Sequence, residues 1–309
     1  MAIHGAGTPI KFSEIQTEFG GVNPISLSEY YAGGPYVQVS PALNPGIPAS
    51  GPVYLSGFYG AVKQFVFSYT VASGVSVANF NLAAAASSAG WNGVAPISAI
   101  ITINSGGIIY STSTTTPALV LSTVPSYSAI SVINSGYIVG CGGKGSSGCN
   151  SVGDSGVINS APGSPGGPAL QILVQNTGVS CRITNNGTIG GGGGGGGGGS
   201  QQYLGNGPGG GGGAGYGLAG VSPAYSNRFG YSVTAGGNGT LTAGGAASSS
   251  TYTVTVYGGA GGGLGSAGAP GAASVGYGGP GAGGAAGAAT VGYANATWVA
   301  TGTLLGSLT

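Results

Sequence analysis

Apolar and polar positions change their period three times along the chain. In residues 10–34, Ile15 and Phe19 stand four apart, with Ser13 and Gln16 at capping-box spacing and Gly20 behind them, which predicts a helix of about two turns. Ile25–Tyr31 repeats that logic with Ser26 or Ser28 as cap, and the pattern returns 28 residues on in Val53–Tyr59. Between the copies, Pro35 to Pro52 shows no helical period and reads as extended chain. Such a segment has too little apolar content to fold alone, yet its aromatic residues need burial. The expectation is an N-terminal arm, residues 1–61, that docks on a partner through Phe12, Ile15, Phe19, Tyr30, Tyr31, Phe58 and Tyr59; the alternative is packing on the chain's own next domain.

From Val62 to Ile138 the texture becomes alternating and β-branched, in 63–71, 98–104, 118–121 and 129–133. Short strands separated by Asn, Ser, Gly and Pro predict an antiparallel β-sandwich or roll over residues 62–138, with Phe80 and Trp91 in its core. A recurring unit also appears, two apolar residues flanking an Asn/Ser-Gly turn: Ile103–Ile108, Ile133–Ile138, Ile183–Ile189 and, degraded, Gly237–Leu241. Such units bury their aliphatics by stacking, so the copies should pile up at the base of the glycine-rich chain.

That glycine-rich chain dominates the second half of the sequence. Gly190 to Gly199 is an unbroken run, and 44 of the chain's 72 glycines lie from Gly190 onward, interleaved with Tyr, Leu, Val, Ala and Trp and with Arg228 as the one ionised side chain there. A flexible linker is normally polar, and collagen needs glycine strictly at every third position. The remaining ordered option is a set of polyproline II-type strands, three residues per turn, whose N–H and C=O groups all bond to neighbouring strands because buried backbone groups are almost always paired. The sequence therefore predicts a mainly β protein ending in a polyglycine II-like sandwich over residues 139–309; disordered low-complexity chain is the competing reading, and very low charge argues against it.

Charged residues make up 3% of the chain, five basic and four acidic. Nucleic-acid binding needs a Lys/Arg cluster, and no apolar run is long enough to insert in a membrane, so neither partner is expected. The first residues lack a basic stretch followed by an apolar one, so no secretory signal is expected and synthesis in a cytoplasm is. Cys141, Cys149 and Cys181 are an odd set; a Cys141–Cys149 disulfide is sterically conceivable, a reducing compartment favours free thiols, and no fourth ligand suggests a metal. His4 and Asp154 are too remote to suggest a triad, and Glu14 and Glu18 read as a solvated helix face. No active site and no cofactor are expected. What remains is recognition by polar, tyrosine-rich tips between the glycine blocks, with Tyr203, Tyr216, Tyr225, Asn227, Arg228, Phe229 and Tyr231 as candidate contacts and Ala214 to Ser232 the densest cluster.

Phe12–Gly21 with Asn23–Tyr31, then Ile47–Gly51 with Leu55–Gly60, resembles the N-terminal region of glycine-rich tail proteins of tailed bacteriophages. Phe80–Leu82, Trp91–Gly93, the Ile103 unit and the Asn185-Asn186-Gly187 lead into glycine are similar to them too. The part from Gly190 resembles the polyglycine II sandwich of receptor-recognising adhesins at the fibre tips of T-even-like phages. The resemblance implies a non-enzymatic virion tail protein, made in the host cytoplasm, anchored by residues 1–61 to other tail proteins and exposing its glycine-rich domain to a host cell-surface glycan or outer-membrane protein. It allows a homotrimer. The competing class is a purely structural tail or baseplate protein whose glycine array packs against other subunits; a structural protein of the bacterial surface is disfavoured by the missing secretion signal.

Overall fold

The computed structural model describes residues 2–37, 44–149, 159–200, 207–222, 232–251, 254–274 and 278–309. The alternating segments do form strands, but they pair in parallel, which corrects the antiparallel sandwich. Each Asn/Gly corner turns the chain onto a new face instead of folding it back as a hairpin, so a strand meets its counterpart one coil later: Phe65 lies beside Ile97, and Ser98 beside Ala129. Inward alternation looks the same in either arrangement, so it cannot distinguish them.

The result is a three-faced parallel β-solenoid. Its first coil is β1 (Phe65–Val71), β2 (Ser76–Ala78) and β3 (Phe80–Asn81), and its second is β4 (Ile97–Ile103), β5 (Ile108–Tyr110) and β6 (Leu119–Leu121). The third is β7 (Ala129–Asn134), β8 (Tyr137–Val139) and β9 (Leu170–Ile172); β10 (Ser180–Asn185) and β11 (Thr188–Gly190) begin the fourth. A small antiparallel sheet, β12 (Ser232–Thr234), β13 (Ser249–Thr251) and β14 (Thr255–Tyr257), intervenes. Then β15 (Thr290–Val291) completes coil four, and β16 (Thr297–Ala300) and β17 (Thr303–Leu305) add a fifth. The sheets run β1-β4-β7-β10-β16, β2-β5-β8-β11-β17 and β3-β6-β9-β15.

Identical register stacks like on like inside. One column is Val77, Ile109, Ile138, Ile189 and Leu304; another is Tyr69, Ile101, Val132, Ile183 and Trp298. Phe80 and Trp91 lie in this core. At the first corner the column turns polar: Asn134 Nδ2 donates to Asn185 Oδ1 (2.7 Å), and Asn185 Nδ2 to the Thr301 carbonyl (2.6 Å), both side chains being fully buried. The three Asn/Ser-Gly units therefore do stack, but the fifth corner is Ala300–Thr303, and Gly237–Leu241 is not part of the stack.

The glycine-rich chain is inserted between the second and third faces of coils three and four, so a boundary at residue 138 cuts through the solenoid: strands from 170–190 and 290–305 belong to the same sheets. The run Gly190–Gly199 leaves β11 and becomes the centre of the array. Its N–H groups take three neighbours in rotation: Gly192, Gly195 and Gly198 donate to Gly167, Ser164 and Ala161; Gly193, Gly196 and Gly199 to Ala214, Gly211 and Pro208; Gly194, Gly197 and Ser200 to Ser266, Ala269 and Ala272. Its carbonyls take three others: Gly190, Gly193 and Gly196 accept from Gly140, Gly143 and Ser146; Gly191, Gly194 and Gly197 from Gly265, Gly262 and Gly259; Gly192, Gly195 and Gly198 from Gly287, Gly284 and Gly281. Six segments surround one, with a repeat of three residues, and there is no room for side chains: a Cβ on Gly194 would stand 1.9 Å from the Gly284 oxygen. Val139, Ala214 and Leu264 seal the array against the solenoid.

The described residues among 2–61 form a compact unit with its own core of Ile3, Ile15, Phe19, Tyr30, Val37, Ile47, Phe58 and Ala61, not an extended arm. Helix α1 (Phe12–Phe19) is capped earlier than the Ser13 spacing suggests, the Lys11 N–H donating to the Glu14 carboxylate (3.1 Å). Both copies of the repeat form single 3₁₀ turns, Leu27–Tyr30 and Leu55–Phe58, and Gly46 and Gly57 bring their backbones into direct contact. Few apolar residues suffice here because the aromatics meet each other edge to face, Phe19 and Tyr30 both on Phe58 at 6.2 and 6.3 Å.

Candidate functional site

Chain direction gathers the array's reversals at two ends. Next to the solenoid the turns are short, at 214–216, 241–243 and 264–265. At the opposite end lie Cys149, Asn159, Ser160, Ser200, Gly207, Gly209, Ser222, Ser274 and Gly279, and they are tied to one another. Gly207 N–H donates to the Cys149 carbonyl (3.1 Å), Ser160 N–H to Gly279 (3.0 Å), Gly279 N–H to Asn159 Oδ1 (2.6 Å), Gly209 N–H to Ser222 Oγ (3.2 Å) and Ser274 N–H to Ser200 Oγ. Thr251 pairs with Ser232, and Ala272 N–H donates to Tyr257.

Serine carries this end because it is the smallest side chain that brings a donor into a close-packed array. Ser160 Oγ donates to the Gly199 carbonyl and Ser248 Oγ to that of Gly209; Ser146, Ser160, Ser200 and Ser248 are all buried. Ser160 and Ser248 each satisfy a backbone oxygen where the three-residue rotation runs out of partners. The sequence carries the signal, serines at the edges of glycine blocks, but it is indistinguishable from ordinary polar turn residues.

The described residues at this end flank 150–158, 201–206, 223–231, 252–253 and 275–277 in the sequence. Tyr203, Tyr225, Asn227, Arg228, Phe229 and Tyr231 fall on them and lie outside the described residues. Tyr216 is at the other end, beside the solenoid, half exposed and edge-on to Tyr110 at 5.9 Å.

Of the seven N-terminal candidates, Ile15, Phe19, Tyr30 and Phe58 are the interior of their own unit, at most 2% exposed, and cannot touch a partner without unfolding it. Phe12, Tyr31 and Tyr59 are half-buried and reach the surface; the Tyr59 hydroxyl donates to the Thr8 carbonyl at 3.0 Å. Tyr54, 67% exposed within the second repeat copy, escapes sequence reasoning because its counterpart in the first copy is Ser26.

Cys141 and Cys149 stand at opposite ends of one extended segment, about 25 Å apart at 3.1 Å per residue, so the disulfide is ruled out by distance. All three thiols are free, and burial pushes that of Cys181 up to about 12. His4 lies against Glu14 at 3.3 Å in the N-terminal unit. Among the described residues no three His, Cys, Asp or Glu side chains cluster as a metal would need, and no helix is long and apolar enough to cross a membrane.

No curated protein sequence matches the chain. A family model described as "Phage tail fibre adhesin Gp38" matches residues 67–309, the solenoid and the array together. Among solved structures, the chain is similar to one described as "Crystal structure of the gp37-gp38 adhesin tip complex of the bacteriophage S16 long tail fiber", with 29% identity and a TM-score of 0.56, over 84% of this chain and 88% of that chain.

Proposed function

The chain belongs to the phage tail fibre adhesin Gp38 family, a component of the virion tail, and on that premise we propose that residues 1–61 attach it to another tail protein while the far end of the glycine array meets the host surface. The observation that carries this reading is the bonding of Cys149, Asn159, Ser160, Ser200, Gly207, Gly209, Ser222, Ser274 and Gly279 to one another at one end of an array whose central run has its backbone groups bonded to six neighbours. We read that array as a polyglycine II-type sandwich; the three-residue rotation of its bonds supports this. Loops held on such a platform lose little entropy on binding, so a few aromatic anchors and one arginine can dominate affinity.

The receptor contacts we propose are Tyr203, Tyr225, Asn227, Arg228, Phe229 and Tyr231, toward a host glycan or outer-membrane protein. Attachment falls to the surface of the N-terminal unit, through Phe12, Tyr31, Tyr54 and Tyr59; that the similar solved structure is a complex with gp37 supports a second tail protein as partner. Changing Arg228 and Tyr225 together to Ala is expected to abolish adsorption to host cells with the melting temperature unchanged. Normal adsorption would remove this segment from the site, and a large fall in melting temperature would make it structural.

A further inference from the structure

Three non-glycine residues among those described have left-handed backbone; one of them, Tyr216, lines a groove, and a second, Asn79, hydrogen-bonds two residues of its wall. The groove lies where the array meets the solenoid, has a volume of about 360 Å³, and is lined by Ser76, Tyr110, Ser111, Thr112, Cys141 and Tyr216. Tyr216 has φ 64° and Asn79 φ 49°. Asn79 braces the wall from behind: its N–H donates to the Tyr110 carbonyl (2.9 Å), its Nδ2 to Thr112 Oγ1 (2.6 Å), and its Oδ1 accepts from the Thr112 N–H (3.0 Å). The third, Tyr127, simply lays its ring over Gly178.

A turn at 214–216 favours glycine or asparagine where Tyr216 stands, and Gly215 before it is already left-handed at φ 88°. The tyrosine is not used to fill a core, since it is 49% exposed, and its ring meets that of Tyr110 at 74°, both residues lining the groove. Strained residues held in place by their surroundings concentrate where a ligand is gripped.

We propose that this groove is a second binding site, taking a neutral saccharide. Among the described residues no ionised side chain lines it, which removes the means of holding an anion. Two rings at 74° do not enclose a cation as an aromatic cage does. What the walls offer is an aromatic face for the apolar side of a sugar ring and hydroxyls from Ser76, Thr112 and the two tyrosines for its rim.

The test uses the full-length protein with lactose, maltose and cellobiose, and with choline as the cationic probe, read by calorimetry and saturation-transfer NMR. At least one disaccharide is expected to bind with a millimolar Kd and choline is not. Tyr216→Gly suits the left-handed turn and removes the ring; it is expected to weaken binding at least about tenfold, equivalent to about 1.4 kcal/mol, without lowering the melting temperature. Should Tyr216→Gly lower that temperature, Ser76→Ala, at an exposed rim position, decides the matter by a several-fold loss. The Arg228/Tyr225 double variant is expected to bind the sugar normally, which separates this groove from the loops at the far end. Absence of binding by all three disaccharides, preference for choline, or unchanged affinity in Tyr216→Gly or, if that variant is destabilised, in Ser76→Ala overturns the proposal.

Discussion

A single methyl group placed at Gly194 tests whether the array is held by backbone contact. The added carbon would lie 1.9 Å from the Gly284 oxygen and 2.5 Å from its carbonyl carbon, whereas ordinary contact begins at 3.4 Å. Segment 281–287 must therefore retreat by about 1.5 Å, beyond the range over which an N–H···O bond survives. That segment is fastened to the central run by three bonds of 2.8 Å, from Gly281, Gly284 and Gly287 to Gly198, Gly195 and Gly192. At about 1 kcal/mol net for each bond, and more where a buried group is left unpaired, Gly194→Ala is expected to cost about 3–6 kcal/mol. The melting temperature should fall by on the order of 10 °C. Gly263→Ala is the control, because its nearest neighbour is the Thr242 oxygen at 3.9 Å. Thermal and urea unfolding of the two variants give the comparison. A Gly194→Ala protein that melts with the wild type, or a Gly263→Ala protein just as damaged, would refute the steric argument.

Asn185→Ala removes the acceptor of Asn134 and the donor to Thr301 at a buried corner, and is expected to cost about 2–4 kcal/mol in urea unfolding; a loss below about 0.5 kcal/mol would mean water replaces the ladder. Burial raises the Cys181 thiol to about 12, so between the unfolded thiol's value near 9 and that figure the native state keeps a proton that the unfolded chain loses. Its contribution to stability is complete below pH 9 and falls by about 1.4 kcal/mol per pH unit above it, so wild type should lose stability faster than Cys181→Ala between pH 9 and 11; parallel slopes would contradict the burial. Deleting residues 1–61 should leave a folded remainder, because the two cores are separate clusters, but one absent from purified particles; normal incorporation would place the attachment elsewhere.

The glycine run is legible in the sequence because a residue without a side chain leaves few ordered options, and the Asn/Ser-Gly units are legible because their spacing repeats. Strand direction is not. Ile101 and Ile103 point inward whether the next strand runs parallel or antiparallel, and the partners of β10 and β11 in the fifth coil lie more than a hundred residues downstream, across the whole array. The compactness of the N-terminal unit is hidden for a related reason. Ile15, Phe19, Tyr30 and Phe58 visibly need burial, but the contact that brings their segments together is between Gly46 and Gly57, which leaves no apolar signature. At the far end, Ser160 and Ser248 look like turn residues until the carbonyls they satisfy are seen.

The rotation of bonds around Gly190–Gly199 also sets a counting rule for insertions and deletions. Ten identical residues hold no information about their own phase, so the phase is fixed from outside, by Ile189 in the solenoid and Ser200 at the far end. Removing three glycines returns every remaining N–H to the neighbour it faced before and draws Ser200 back by one turn, about 9 Å. Removing one or two still leaves each remaining glycine N–H facing a segment that accepts, since the three accepting neighbours are taken in rotation, but delivers Ser200 turned by a third or two thirds of a circle, away from Ala272 and Ser274. The run can thus change length without re-aiming the chain beyond it only in steps of three residues, one turn at a time.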